Sequence, residues 1–196
     1  MPVIASTELD AINTMLTTIG ESPVNSVNAS TADTRIAQLI LQEVDRATQI
    51  KGWNWNTEKD VPLTRNGSNQ IVLSANVVRV DVSRSEYPRV EVVQRGNKLG
   101  DKKNNTYTIT ADLKGEVVSL LPFTDLPEQA RYYIVVRSAR LFQQRMIGDS
   151  TGSAFSAEEE TTAYMALNDS EDETADHNIF NNYDVAKVIA HRRYLV

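Results

Sequence analysis

The string GDSTG at residues 148–152 sets Ser150 between two glycines in the G-x-S-x-G spacing of a nucleophile elbow. That chemistry needs a strand before the serine and a helix directly after it, so that a strained turn lifts the hydroxyl toward a histidine base and backbone oxyanion donors. Here a segment of helical period precedes Ser150 and a loop follows, so Gly148 reads as the end of a helix. The chain has two histidines, His177 beside an acidic run and His191 beside two arginines, and neither has a second ligand at metal-binding spacing. SEDETAD at 170–176 lacks the alternating ligands and central glycine of a calcium loop. No glycine-rich loop is present to cradle a phosphate. These strings predict no catalytic residue, no metal and no cofactor.

Both tryptophans lie in KGWNWNTEKD, residues 51–60, two positions apart. If the chain is extended there, Trp53 and Trp55 project to one side with Glu58 and Asp60 just beyond, and stacking rings beside paired carboxylates resemble a glycosidase cleft. Yet carboxylates two apart on an exposed strand stay hydrated, with no apolar pocket to raise the pKa of a general acid. The residues favour a structural joint. Trp53 directly follows a helix that offers Leu39 and Ile50 to the same side, and the ring is expected to bury there. Glycan hydrolysis by Glu58 and Asp60 beside Trp53 and Trp55 is the alternative, and a DNA-binding module using Lys98 to Lys103 with Arg137 and Arg140 is a third.

The elements around these residues follow from period. A helix capped by Ser6 is expected to run to about Ile19, with Leu9, Ile12, Leu16 and Ile19 on one stripe, before Gly20 and Pro23 stop it. A second spans about Asp33 to Lys51, with Ile36, Leu39, Ile40, Val44, Ala47 and Ile50 inward and Gln38, Gln42, Asp45 and Gln49 outward. From about 57 to 123 the period switches to two: Val78, Val80 and Val82, then Val90 and Val92, then TYTIT and EVVSLL predict an antiparallel sheet of about five or six strands. Gly96, Asn97, Gly100 and KKNN mark a hairpin tip carrying Lys98, Lys102 and Lys103. Helical period returns after a capping box, Asp125 to Glu128, with Ala130, Ile134, Leu141, Phe142 and Met146 inward and Arg137, Arg140, Gln143 and Gln144 outward. A second box, Ser156 to Glu159, opens an acidic helix carrying Tyr164 and Leu167.

The fold class predicted is α+β: a helical domain of about four helices at 1–56 and 124–175, an antiparallel β domain inserted at 57–123, and an extended C-terminal arm at 176–196. The arm is apolar and aromatic without a period of its own. Its Ile179, Phe180, Tyr183 and Tyr194, with Arg192 and Arg193, are expected to order against a partner, and Arg137 and Arg140 are candidates for the same interface.

The 196 residues carry a net charge of −6 and no cysteine, which excludes disulfides and thiolate metal sites. MPVIASTELD has no basic n-region, and no stretch approaches the length of a membrane span. Residues 146–186 hold ten Asp or Glu and no Lys or Arg, leaving 20 basic against 16 acidic residues elsewhere. A run of this kind is a solvated helix face or a wall that repels a polyanion. Glu158, Glu159, Glu160, Asp169, Glu171, Asp172 and Glu173 are its candidate members.

MLTTIGESPV at 15–24, KGWNWNTE at 51–58, and LPEQARYYIVVRSARLFQQRMIGD at 126–149 followed by AEEE, in that order and spacing, resemble the tail tubular protein A, or head-to-tail adaptor, family of short-tailed bacteriophages. The resemblance implies a structural virion protein and no enzyme. It implies a ring of twelve copies joining the portal to the tail nozzle (tail tubular protein B), made in the host cytoplasm, with DNA ejected through the centre and tail fibres attached outside. It also implies a helical domain with a β domain attached and a C-terminal segment that docks on the portal.

Overall fold

In the computed structural model, residues 7–28, 31–148 and 157–174 are described. Helix α1, Glu8–Thr18, begins at Thr7, whose hydroxyl accepts from the Asp10 amide while the Asp10 carboxylate accepts from the Thr7 amide. Thr7 thus takes the cap expected of Ser6, because its spacing to Asp10 completes a reciprocal box. Ala11, Ile12, Met15 and Leu16 are buried.

Helix α2, Ala32–Gln49, is rotated from the face its apolar pattern suggests. Thr34, Ala37, Ile40, Leu41, Val44, Thr48 and Gln49 are buried. Leu39 is 60% exposed, and Ala47 and Ile50 also face out. The run LIL at 39–41 lets two faces compete, and contacts with α1 and α3 select the one centred on Ala37 and Leu41. Gly52 then ends the helical path at φ +78°, and a Cβ there would meet the Arg79 guanidinium at 2.5 Å.

Five antiparallel strands follow in two small sheets. Strands β1 (Thr57–Leu63), β2 (Val77–Asp81) and β5 (Leu113–Ser119) form one in the order β1-β5-β2; β3 (Val92–Arg95) and β4 (Lys98–Asp101) form the other. TYTIT at 106–110 is not a strand. The Asp101 carboxylate gathers the amides of Lys103 and Asn104 into a turn, after which Thr106 bridges back to Asp101 and the Ile109 amide donates to the Asn69 carbonyl. The lysines therefore do not share one tip: Lys98 opens β4 and is bonded to Gln70, whereas Lys102 and Lys103 lie on the turn after that strand, Lys102 paired with Glu91. Leu63, Ile71, Leu73, Leu99, Ile109, Leu113 and Val117 make the β core.

Helix α3, Glu128–Ile147, starts at Pro127 with no side-chain cap; Asp125 ends a 3-10 turn, Phe123–Asp125, so the expected capping box does not form. Residues 133–136 are buried all round, because α3 packs against α1, α2 and α4 together. Gln143 is buried and Met146 exposed, opposite to expectation. Gly148 closes α3 at φ +77°, its amide donating to the Gln144 carbonyl. Helix α4, Ala157–Thr174, lies on α3 through Ala163 and Leu167. Ser150, Ser156, both histidines and the arm at 176–196 lie outside the described residues.

Candidate functional site

Trp53 is 7% exposed and belongs to the helical core with Val44, Phe123, Tyr133 and Leu167. Its indole Nε1–H donates to the Thr48 carbonyl at 2.8 Å. Its ring stacks on Trp55, centroids 6.3 Å apart and planes 9° apart, and meets the edge of Tyr164 at 6.4 Å. Lys51 lies 4.4 Å from the Tyr164 ring centroid and donates to its hydroxyl at 3.1 Å. That donated bond holds the Tyr164 phenol below its ordinary pKa, against burial, which acts upward.

Two buried amides tie this aromatic cluster to the β region. The Asn56 side chain accepts from the Trp53 amide at 2.8 Å and donates to the carbonyls of Gln49 at 2.9 Å and Ser119 at 3.1 Å. Gln49 exchanges two bonds with the Leu121 backbone, donating at 3.0 Å and accepting at 2.8 Å. Arg79 on β2 adds a bond to the Lys51 carbonyl at 3.1 Å. The helical period assigns Gln49 to the outward face of α2 and gives Asn56 no role. The only available signal was their position either side of Gly52, where a helix end leaves carbonyls without partners.

Helix α4 is fastened at both ends. Glu160 accepts from Arg137 Nη1 at 3.2 Å and from Arg140 Nε at 2.5 Å, and its side chain is only 14% exposed. Glu171 accepts from the Asn54 amide at the other end. On the face of α3 expected to be basic and outward, Arg137 and Arg140 are half-buried and their partners lie inside the subunit. Glu160 and Glu171 likewise turn inward. Glu158, Glu159, Asp169, Asp172 and Glu173 remain exposed on the far side of α4.

Glu58 and Asp60 do not meet the rings. Both are exposed on β1, where Asp60 takes φ +57° in the bulge between Glu58 and Val61. An open depression of about 380 Å³ beside Asp60 is lined by Lys59, Asp81, Ser83, Glu86, Lys114, Gly115 and Glu116, with neither tryptophan and not Glu58. Trp53 has no free ring face on which a sugar could stack. Among the described residues, no group of three or more His, Asp or Glu could hold a metal, and no helix is long and apolar enough to cross a membrane.

Fold and site together define an α+β scaffold whose aromatic, amide and ionic clusters are engaged in its own cohesion. The model of the tail tubular protein family matches residues 9–177, nearly every described residue. Tail tubular protein A of Klebsiella phage KP34 is 30% identical over 162 residues, covering 82% of this chain and 84% of that protein. The chain belongs to the tail tubular protein family: it is a structural protein of a phage tail, and its place is the virion. The match ends at residue 177, two residues into the arm.

Proposed function

We propose that the chain is one subunit of a head-to-tail adaptor ring, twelve copies by family resemblance, that joins the portal to the tail nozzle and surrounds the DNA ejection channel, with tail fibres on its outside. The observation that carries this is the shape of the charge distribution. The exposed carboxylates of α4 occupy one flank, no basic residue shares that helix, and a head-to-tail ring needs two unlike sides on every copy. A wall of outward carboxylates also opposes the phosphate contacts that would stall DNA. Glu158, Glu159, Asp169, Asp172 and Glu173 are the members available for either role.

We assign Ile179, Phe180, Tyr183, Arg192, Arg193 and Tyr194 of the arm to the portal contact. Electron microscopy of the protein mixed with its cognate portal is expected to show a closed ring on the portal's tail side. A chain shortened by residues 177–196 is expected to bind the portal at least tenfold more weakly with its helical spectrum retained. Undiminished binding by the shortened chain would remove the arm from the contact; a portal that never acquires a ring would defeat the adaptor role itself.

A further inference from the structure

Two exposed helix faces of this chain match each other. Along α2, Arg35, Leu39, Gln42, Arg46 and Ile50 are all exposed and fall at offsets of 0, 4, 7, 11 and 15, a single stripe of the helix. Along α4, Glu158, Thr162, Met165, Asp169 and Glu173 are exposed at the same offsets. Arg35 and Arg46 form no ion pair among the described residues, nor do Glu158 and Asp169. Two unpaired arginines eleven residues apart thus face two unpaired carboxylates eleven residues apart, each pair separated by about 16 Å of helix. Between the charges each stripe carries a large apolar side chain left open, Leu39 at 60% exposure and Met165 at 59%.

The two stripes cannot meet within one copy, because α3 packs between their helices and Ala163 and Leu167 hold the opposite side of α4 inward. Helix sense decides how two copies can meet. Tyr133 beside Tyr164 and Arg140 beside Glu160 make α4 antiparallel to α3. Gln49 beside Leu121, upstream of α3, and Glu43 beside Arg145 near its end make α2 antiparallel to α3 as well. Helices α2 and α4 therefore run in the same sense, and rotation about a ring axis keeps that sense from one copy to the next.

We propose that α4 of each copy lies parallel against α2 of its neighbour, Glu158 opposite Arg35 and Asp169 opposite Arg46, with Leu39 and Met165 closing over the space between. This rests on the ring reading above and names the surfaces that join its copies. Glu159, Asp172 and Glu173 remain on the shoulders of α4. Two ion pairs and a short apolar seam hold a lone pair of copies weakly, and the contact weakens as salt rises; closure on a portal adds the remaining neighbours.

The test compares four full-length proteins on the cognate portal by electron microscopy and sedimentation: wild type, Arg35→Glu with Arg46→Glu, Glu158→Arg with Asp169→Arg, and all four changes together. All positions are exposed, and melting curves establish that each variant is folded. The two one-sided reversals are expected to lower ring yield at least tenfold, and the fourfold exchange to restore it. Because the chain has no cysteine, Gln42→Cys with Met165→Cys is expected to give a disulfide ladder between copies under oxidation, and neither single variant should do so. Wild-type ring yield from both one-sided variants, without a ladder, overturns these surfaces and leaves the ring intact. Absence of rings in the wild type overturns both.

Discussion

At the scale of single residues, Trp53 is the most consequential side chain described, because it joins core burial, an indole hydrogen bond and a stack with Trp55 in one place. Trp53→Ala is expected to lower unfolding free energy by about 3–5 kcal/mol, a large part of the roughly 5–15 kcal/mol of an ordinary domain. Trp53→Phe keeps a ring but removes the donor to Thr48, adding a loss of about 1 kcal/mol for that bond to its smaller packing defect. Urea titration separates the two, and equal losses would mean that the ring's bulk is unimportant. Asp112 supplies a test by pH. It accepts from the Arg65 amide and from Arg65 Nε, both at 3.0 Å, and the amide bond first, then the guanidinium, hold its pKa below the ordinary 3.8. A depressed carboxylate stabilises fully above its unfolded value, and that stability is lost as pH falls through the lower folded value. Melting temperature should therefore drop on acidification less steeply in Asp112→Asn than in the wild type; parallel acid limbs would refute this.

At the scale of elements, α4 is the least embedded helix. It buries only Ala163 and Leu167 fully, and its other attachments include the Glu160 clamp, the bonds of Asn54 to Glu171 and to the Thr174 carbonyl, and the Tyr164 contacts. Arg140→Ala removes one charged bond from a largely buried carboxylate while Arg137 remains, a loss of about 1–3 kcal/mol. Hydrogen exchange is expected to quicken severalfold or more across α4 and to stay unchanged in α1 and α2. Exchange that rises evenly across the helices would show that α4 does not open by itself. The sequence announced this helix by its acidic run, but not which carboxylates face inward. Glu160 and Glu171 look like Glu158 and Glu173 until the arginines of α3 and the Asn54 amide are placed beside them.

At the scale of the whole molecule, the chain forms two hydrophobic clusters, and side-chain bonds from Gln49, Asn56 and Arg79 lie at the joint between the helices and the strands. Asn56→Ala removes the acceptor of the Trp53 amide and the side-chain donor to the Ser119 and Gln49 carbonyls, of which Gln49 keeps the Gly52 amide, at about 1–3 kcal/mol for a buried group left unpaired. Calorimetry of this variant is expected to show the helical and β clusters melting apart, where wild type melts in one transition. A single sharp transition at lower temperature would show instead that the clusters share more than this joint. In the adaptor role proposed above, such a lock would hold the shape of each subunit while DNA passes.

The amino-acid order determined the sequence of elements, because the change of period from 3.6 to 2 and back is written locally: helices on either side of residues 57–123, strands within, and Gly52 and Gly148 as stops. It also determined that Trp53 belongs inside, since a large ring beside a helix end has few other places to go. Tertiary structure alone decided which face of α2 is buried. Leu39 and Leu41 are equally apolar, and Gln49 can enter the core because the Leu121 backbone, 72 residues further on, joins Asp45 in satisfying its amide. It likewise decided that TYTIT loops and that Arg137 and Arg140 turn toward α4. Pairings between residues far apart in the chain depend on distances, and periodicity carries none.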